Sequence, residues 1–306
     1  MQKGKYCDLH THTTLSDGAL SAEELVERAI ENNIGVLAIT DHNRVLDYKE
    51  FKRLSEKYKD RIRLVRGVEV TCRHEINGVW KELHVVVLFF DEKCLEKFCE
   101  KILNKNGANS RRPYIETILR KLDEGGAGIG TYEDLQAMFP GKDYFGRPQI
   151  AEAMVRKNIV KTCSEAFDIW IGDFGERRAY VKNPNKDGYC TLKELAEAAI
   201  ECKAMPILCH LYYYLLSEEE ERILVKDFAE MTKGIGGFET EYRIYDEEQR
   251  KKLRALKEEY VLTASAASDY HAIFDTDGLD NEFPMEIFDE IVSVWEAFYG
   301  MEVCFE

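Results

Sequence analysis

The sequence predicts an α/β fold, in which a mostly parallel β-sheet, closed as a barrel or open, carries a helical insertion. Strand and helix signals alternate through residues 5–103 and resume after residue 190, the pattern expected of repeated βα units. Residues 106–185 instead contain several short amphipathic helices separated by glycine- or proline-marked breaks. We therefore expect one discontinuous domain, formed by residues 1–105 and 186–306, and an insertion at 106–185.

The N-terminal part begins with a predicted strand at 5–9 and a helix whose start is clearly marked. Ser21 is followed three residues later by Glu24, the capping-box pattern that satisfies free amides at a helix start. Apolar residues then recur with helical spacing along one face. The other elements predicted here are strands at 36–40, 62–70 and 83–90 and helices at 48–58 and 95–103.

After the insertion, the alternation of helices and strands continues to the end of the chain. Repeated units on this scale indicate a mostly parallel sheet. The predicted elements are helices at 192–202, 218–231, 247–259 and 285–298 and strands at 206–209, 236–239 and 260–263.

Composition and charge exclude several classes of protein. The chain has 306 residues, enough for a sizeable buried core, and a formal net charge of −15. The acidic excess argues against a protein that coats long nucleic acids through a broad basic surface. It does not exclude a small anionic substrate, because the local charge at a site can oppose the net charge.

The sequence shows no feature of a membrane or secreted protein. Its longest strongly apolar run, at 85–90, is far too short to span a bilayer, and no apolar stretch follows the N-terminus. The nine cysteines form no CxxC pair, which favours free thiols in a reducing compartment and disfavours a thiolate zinc site. We expect a cytoplasmic protein.

Histidines and carboxylates concentrate where the predicted strands end. Six of the seven histidines lie at or just beyond the end of a predicted strand, or within one, and such strand ends converge on one face of a parallel α/β fold. A single histidine of this kind is most simply a hydrogen-bonded core residue, but six beside carboxylates favour a site for Mn²⁺, Fe²⁺ or Zn²⁺. The residues are His10, His12, His42, His84, His210 and His271, with Asp17, Glu69 and Asp269.

Six short motifs, in this order and combination, resemble the polymerase and histidinol phosphatase (PHP) superfamily over about residues 6–275. They are Asp8-Leu9-His10-Thr11-His12, Ser16-Asp17-Gly18, Ile39-Thr40-Asp41-His42, Gly67-Val68-Glu69, Leu83-His84 and Ser268-Asp269-Tyr270-His271. The resemblance implies a distorted (β/α)₇ barrel with up to three divalent metal ions at the carboxyl ends of the strands. It implies that the nine residues named above are the metal ligands, which supports three ions rather than two.

The insertion resembles the one found in the branch of small phosphoesterases that act on nucleotides and short RNA. Gly146-Arg147-Pro148, followed by Ile150-Ala151, matches the motif of that branch, and the insertion is expected to contribute to the substrate pocket. Three positions differ from the family pattern. Gln149 stands where the branch usually has His, Asn43 replaces an Asp, and Leu211 follows His210 where Pro is usual.

The resemblance implies a metal-dependent phosphoesterase, in which a metal-bridging hydroxide attacks phosphorus in line with the leaving alkoxide. Clustered divalent ions neutralise the phosphate and lower the pKa of bound water towards ~7. Asp8 and Asp41 are expected to lie behind the ligands and to orient their imidazoles. Arg147, followed by Arg177 and Arg178, are candidates to bind the substrate phosphate or a second anionic group, because guanidinium binds phosphate in a bidentate manner.

The favoured substrate is a small phosphorylated metabolite, with nucleotides and nucleoside 3′,5′-bisphosphates first. A cyclic-phosphate phosphodiesterase, a 5′-to-3′ exoribonuclease on short RNA and a histidinol phosphatase are alternatives, of which the insertion disfavours the last. A metal-dependent amidohydrolase also places His-x-His after its first strand, but without Asp17 and Glu69 in this arrangement. A catalytically inert metal-binding module is disfavoured by the complete ligand set.

Overall fold

The computed structural model describes residues 3–90, 94–104, 108–172, 175–181, 188–273 and 278–303. One seven-stranded sheet, with its strands in sequence order, forms the centre of the molecule. The strands are β1 (Tyr6–Asp8), β2 (Ile34–Ile39), β3 (Arg63–Ile76), β4 (Val79–Phe89), β5 (Ala204–Leu208), β6 (Gly237–Tyr242) and β7 (Thr263–Ala267).

The sheet closes into a barrel where its first and last strands meet. The Leu9 amide donates to the Ala266 carbonyl at 3.0 Å, and Thr11 pairs with Tyr270 in a parallel bridge. All neighbouring strands are parallel except β4, which runs antiparallel to β3 and β5. The predicted distorted (β/α)₇ barrel is confirmed, and β4 is the source of the distortion.

Helices follow the strands at most of the expected positions. Ser21 caps the first helix in the predicted capping box with Glu24. The third and seventh helices continue as π-helical turns to Leu103 and Ile171. The helices are α1 (Ala22–Glu31), α2 (Tyr48–Tyr58), α3 (Leu95–Phe98), α4 (Ala108–Glu124), α5 (Tyr132–Met138), α6 (Arg147–Arg156), α7 (Cys163–Ala166), α8 (Leu192–Glu201), α9 (Glu218–Thr232), α10 (Glu247–Tyr260) and α11 (Glu286–Tyr299).

Both faces of β4 are buried, and they pack into different parts of the core. Val85 and Val87 belong to the cluster that includes residues of α8 and α9. Val86 and Leu88 point the other way, into the cluster that includes α11. Glu69 of β3 is directly opposite Val86, and residues directly opposite on antiparallel strands share a face. The Glu69 carboxylate therefore lies on the same side of the sheet as the second cluster.

The segment at 106–185, where it is described, contains helices α4–α7 and no strand. These helices bury their own apolar cluster, with Ile118, Leu122, Phe145 and Met154 fully or almost fully buried and Trp170 5% exposed. The insertion thus has a core separate from those of the barrel, while its exact boundaries stay a prediction.

Some predicted elements were misplaced. The strand expected at 260–263 is wrong, because Tyr260 ends α10 and β7 begins only at Thr263. β3 and β4 are longer than predicted and form a hairpin through Asn77 and Gly78, whose positive φ angles of 51° and 78° suit a two-residue turn. Within the described residues, none of the helices is long and apolar enough to cross a membrane.

Candidate metal centre

The nine predicted ligands come together on one face of the barrel. Glu69 and His84 lie in the middle of β3 and β4, so the expectation that Glu69 ends its strand is wrong. Asp17 lies in a turn closed by the Gly18 amide, which donates to the Thr13 carbonyl at 2.9 Å. The other ligands follow the ends of β1, β2, β5 and β7 and are His10, His12, His42, His210, Asp269 and His271.

Glu69 lies at the centre of the cluster, with 1% of its surface exposed. Its Oε1 atom lies 2.7 Å from His84 Nδ1 and 3.2 Å from His210 Nε2. Its Oε2 atom faces three further imidazole nitrogens: His42 Nδ1 at 2.7 Å, His10 Nε2 at 3.2 Å and His12 Nε2 at 3.3 Å. Its two oxygens thus face separate sets of imidazoles, and mixed imidazole and carboxylate groups suit divalent metal ions.

Asp17 and Asp269 supply two more carboxylates. Asp17 Oδ1 lies 3.4 Å from His271 Nε2, and its Oδ2 atom lies 3.6 Å from His42 Nε2. Asp269 Oδ1 lies 3.1 Å from His12 Nε2. His12 is therefore shared between the groups around Glu69 and Asp269, and the cluster is continuous.

The donor atoms of this cluster fit divalent cations. They divide into overlapping groups whose ligand atoms lie within 4.8 Å of one another. Several are buried and make no hydrogen bond: His10 Nε2, both ring nitrogens of His12, Asp17 Oδ1, His42 Nδ1, Glu69 Oε2, His84 Nδ1 and His210 Nδ1. Buried polar atoms without hydrogen bonds are costly. Coordination of cations accounts for their arrangement.

Glu69 and His12 are held in the protonation states that bind metals, while nearby carboxylates outweigh burial and raise the pKa of His10, His84 and His271. Burial raises the pKa of the Glu69 carboxyl, but the His42 and His84 imidazoles outweigh it and hold that pKa well below its usual value. Burial, together with His271 and His42, lowers the pKa of His12 to about 3. Glu69 is therefore ionised and His12 neutral near pH 7, the forms in which these side chains bind metals.

Asp8 and Asp41 lie behind the ligands and hold the loops that carry them. The Asp41 carboxylate accepts hydrogen bonds from the amides and hydroxyls of Thr13 and Ser16 at 2.6–3.0 Å. Asp8 Oδ1 accepts from the Ser268 amide at 3.1 Å, and burial raises the pKa of its carboxyl to about 7. The described hydrogen bonds to these two carboxylates come from backbone amides and hydroxyl groups. The sequence had suggested that the carboxylates would instead orient the imidazoles of the ligands.

Glu239 was missed by the sequence analysis. It is 1% exposed on β6, its Oε1 atom lies 2.7 Å from His10 Nδ1, and its Oε2 atom accepts from the His210 amide at 2.6 Å. The signal that could have found it is a glutamate inside a strand whose every residue is buried. A second residue missed is Tyr242, whose hydroxyl donates to Asp269 Oδ2 at 2.8 Å.

Three residues at this centre have a left-handed backbone. The φ angles are 28° at His210, 53° at Asp269 and 51° at Asn43, and such strain in residues other than glycine is typical of functional sites. Asn tolerates this conformation better than most residues. The Asn43 amide also exchanges two hydrogen bonds with Thr71, each of 3.1 Å, so it ties its loop to β3.

The insertion contacts the metal centre through the start of α6. A Cβ atom on Gly146 would lie 2.7 Å from Asp17 Oδ2, so this close approach requires glycine. Gln149 Oε1 accepts from the Gly146 amide at 2.8 Å, and Gln149 Nε2 donates to the Asp17 carbonyl at 3.0 Å. The glutamine that departs from the family pattern therefore links the insertion to the turn that carries a ligand.

The three predicted phosphate-binding arginines occupy different positions. Arg147 is the first residue of α6 and is partly buried, with its guanidinium 4.5 Å from the centroid of the Tyr180 ring. Arg177 is exposed and lies over Trp170 at 4.7 Å. Arg178 is also exposed. Arg147 is adjacent to the Gly146 contact with Asp17, while no described hydrogen bond or ion pair joins Arg177 or Arg178 to a predicted ligand.

Residues 8–232 match the PHP domain family model. The chain belongs to the PHP family. The matched stretch begins at the last residue of β1, contains β2–β5 and includes every predicted ligand except Asp269 and His271. These two residues follow β7 and complete the cluster in space.

The match extends to proteins that share most of the length of this chain. This chain is 28% identical over 294 residues to a 5′-3′ exoribonuclease of Haemophilus influenzae, and the alignment covers 96% of this chain and 99% of that protein. It is 25% identical over 276 residues to a 3′,5′-nucleoside bisphosphate phosphatase of Chromobacterium violaceum, covering 87% of each. A solved structure from Bifidobacterium adolescentis, 23% identical, has the same fold with a TM-score of 0.74 and covers 96% of this chain and 98% of that one. The predicted family and its metal-dependent phosphoesterase activity are confirmed.

Proposed function

We propose that this phosphoesterase hydrolyses small phosphorylated nucleotides, with nucleoside 3′,5′-bisphosphates as the favoured substrates. The observation that carries this proposal is the contact of the helical insertion with Asp17, because the part of the insertion that makes it also carries Lys142 and Arg147. A substrate with two phosphates needs a second positive contact besides the metals. The bisphosphate phosphatase to which the chain is similar supports the same class.

Three divalent ions, of Mn²⁺, Fe²⁺ or Zn²⁺, are the proposed cofactors. His10, His12, Asp17, His42, Glu69, His84, His210, Asp269 and His271 would hold them. When bound, such ions neutralise phosphoryl oxygens and make water available as a nucleophile near neutral pH. The protein supplies the geometry: Glu69 faces two sets of imidazoles, Glu239 orients His10, and Asp8 and Asp41 keep the ligand loops in place.

Arg147 is proposed as the contact for the second phosphate. Its position at the start of α6 places it next to Gly146, whose Cβ would meet Asp17, and its planar guanidinium can bind two phosphate oxygens at once. Lys142 adds a second cation here, since its ammonium group donates to the Thr14 carbonyl at 3.1 Å. Arg177 and Arg178 stay candidates at the outer part of the insertion.

Short RNA is the second candidate substrate, and a specific cavity favours it. A cavity of about 580 Å³ lies beside the Asp17 turn, between Thr14 and Gly18 of the barrel and Phe139, Lys142 and Gln149 of the insertion. This is space for a further nucleotide beyond the one at the metals, with an aromatic ring for stacking. The exoribonuclease relative spans almost the whole chain. The net charge of −15 still disfavours long nucleic acids.

The test measures hydrolysis by the Mn²⁺-loaded protein on matched substrates. Adenosine 3′,5′-bisphosphate, a 5′-phosphorylated dinucleotide, a 1,2-cyclic ribose phosphate and histidinol phosphate are compared at equal concentrations. We expect release of inorganic phosphate from the bisphosphate, with adenosine monophosphate as the other product, and kcat/KM at least about tenfold above that for histidinol phosphate, a 1.4 kcal/mol preference. Preference for the cyclic phosphate or for histidinol phosphate would overturn the proposed substrate class.

The dinucleotide distinguishes the two nucleotide candidates. Release of a 5′-mononucleotide from it faster than phosphate is released from the bisphosphate would favour RNA. Phe139→Ala serves as the matched variant, because it removes the aromatic ring that lines the cavity and leaves every predicted ligand in place. It should impair the dinucleotide reaction and leave the bisphosphate reaction unchanged if RNA occupies this cavity.

A further inference from the structure

Arg111 is a half-buried arginine at the beginning of the insertion. It lies in the first turn of α4, and its guanidinium lies 4.8 Å from the centroid of the Tyr144 ring. Its Nη1 atom donates to the Tyr144 hydroxyl. Its Nε atom is buried and has no hydrogen-bond partner. A guanidinium carries five donor hydrogens in a planar fork, and the described residues provide one acceptor for them, the Tyr144 hydroxyl.

The charge of Arg111 has no counter-ion among the described residues, unlike that of its neighbours in the insertion. Arg112, the next residue on the same helix, pairs with Glu116 and Glu133. Arg156 pairs with Glu152. Partial burial of a cation without a counter-ion is costly, and a bound anion would offset that cost.

Arg111 is linked to the metal centre through Tyr144, which lies two residues before Gly146, where a Cβ atom would lie 2.7 Å from Asp17 Oδ2. Burial lowers the pKa of the Arg111 guanidinium, but nearby Tyr144, Tyr189 and the Asp17 carboxylate raise it above the usual value, so the group stays protonated. The same positive charge acts on His84, where it opposes the raised pKa of that imidazole. Arg111 thus interacts electrostatically with two predicted ligands that belong to different loops of the barrel.

Bound cations would change the charge that Arg111 experiences at the metal centre. Three divalent ions exceed the charge of Asp17, Glu69 and Asp269, so the loaded centre is net positive. A protonated guanidinium beside a net-positive centre is repelled unless an anion lies between them. A phosphoryl group at the metals is such an anion, and an arginine fork matches its oxygens.

We propose that Arg111, positioned by Tyr144, binds the phosphoryl group held at the metal centre. Its Nε donor, which has no described partner, contacts a non-bridging oxygen, while the stacked tyrosine ring fixes the plane of the guanidinium. The inference deepens the proposed function, since it names the chain's own anion contact for the phosphate ester. It also makes the insertion part of the binding site for every substrate, and not only for those with a second phosphate.

The test uses inorganic phosphate as the probe and Arg112→Met as the matched control for Arg111→Met. Phosphate binding to the Mn²⁺-loaded proteins is measured by calorimetry and as inhibition of p-nitrophenyl phosphate hydrolysis, with metal content determined in parallel. Arg111→Met should weaken phosphate binding about 10- to 100-fold with unchanged metal content, as expected for loss of charge-assisted hydrogen bonds. Arg111→Lys should recover part of the affinity, and Arg112→Met should bind like the wild type.

Two results would overturn the proposal. Equal phosphate affinity of Arg111→Met and the wild type would show that the guanidinium does not contact the anion. Loss of metal from both Arg111→Met and Arg111→Lys, which keeps the charge, would show that Arg111 supports the ligand turn instead. Failure of the proposed substrate class is a separate result, since a wild type inactive on nucleotides but active on p-nitrophenyl phosphate still reports the role of Arg111.

Discussion

Glu239 Oε1 lies 2.7 Å from Nδ1 of His10, and both side chains are 1% exposed. This contact fixes the imidazole so that its other nitrogen, Nε2, points at Glu69 and Asp269. A carboxylate behind a ligating histidine sets the tautomer and raises the basicity of the ring. Glu239 therefore acts on the metal centre through His10, and also holds the His210 amide at 2.6 Å.

Replacing Glu239 by Gln should weaken metal binding without unfolding the barrel. The amide keeps the shape of the side chain but removes the negative charge that favours a metal-bound His10. Affinity for Mn²⁺ should fall about 10- to 100-fold, measured by equilibrium dialysis with metal analysis. Phosphoesterase activity should recover when the Mn²⁺ concentration is raised.

Glu241→Gln is the matched control for this change. Glu241 lies on the same strand, but its carboxylate pairs with Arg254, at 2.6 and 2.9 Å. This variant should keep wild-type metal affinity. Equal loss of Mn²⁺ affinity in both variants would contradict a specific role for Glu239.

Removal of the metals should destabilise the protein as well as inactivate it. The buried carboxylates and imidazoles around Glu69 lose the cations that satisfy them. Because ions bind only the folded site, they stabilise it by about 4 kcal/mol when present at 1,000 times their dissociation constant. Thermal unfolding after treatment with a chelator should show a lower Tm, and added Mn²⁺ should restore both Tm and activity. An unchanged Tm would mean that the cluster holds no tightly bound ion.

Asp269→Asn should lower the number of metal ions per chain. Asp269 Oδ1 lies 3.1 Å from His12 Nε2 and 3.5 Å from His10 Nε2, so its charge is central to one group of ligands. Metal analysis of the purified protein should give about three ions for the wild type and fewer for the variant, with kcat reduced at least about 100-fold, near 2.7 kcal/mol. Full metal content together with full activity in the variant would remove Asp269 from the ligand set.

The sequence was sufficient for the barrel and for the ligand cluster, because capping residues, apolar periodicity and short motifs are local signals. The capping box at Ser21 and the helix at 48–58 are examples, since the structure has both. The prediction of the β3–β4 hairpin was too short. The outer ends of both strands carry charged residues, and the prediction did not take the Asn77-Gly78 turn into account. Glu239 and Arg111 were missed because their significance depends on partners 229 and 33 residues away. A local pattern marks at most a glutamate within a buried strand, and it does not identify the partner of that side chain.

Acid should weaken the contact between α1 and α2 through Glu23. Hydrogen bonds from Arg53 and Lys57 lower the pKa of Glu23 from 4.5 to about 2. A carboxyl whose pKa is lower in the folded state contributes stability above its unfolded pKa and loses it as pH falls towards the folded value. The effect is small because these groups are partly exposed. The difference in Tm between the wild type and Glu23→Gln should therefore shrink as pH falls from 5 to 2.

Glu31→Gln provides the comparison for the acid experiment. Glu31 lies on the same helix, but its nearest described cation is Arg28 at 3.5 Å, and both side chains are more than half exposed. Its Tm difference from the wild type should change little over the same pH interval. A pH-independent difference for Glu23→Gln would show that its ion pairs do not stabilise the folded state.

Gln149→Ala should loosen the insertion from the metal centre. The amide side chain joins the Gly146 amide to the Asp17 carbonyl at 2.8 and 3.0 Å, and it is 3% exposed. Its removal leaves two buried backbone groups without these partners, at a cost of about 1–3 kcal/mol each. We expect a lower Tm and weaker Mn²⁺ binding, because the turn that carries Asp17 is no longer held.

Gln249→Ala is the control that separates the effect of Gln149→Ala on Tm from its effect on Mn²⁺ binding. Gln249 occupies the same capping-box position in α10, where its Oε1 atom accepts from the Asp246 amide at 3.0 Å, but it has no described contact with a predicted ligand. Loss of this cap should lower Tm by a few degrees and leave Mn²⁺ affinity unchanged. If Gln149→Ala behaves in the same way, Gln149 only caps α6. If it alone loses Mn²⁺ affinity, the link from the insertion to Asp17 helps to hold the metal centre.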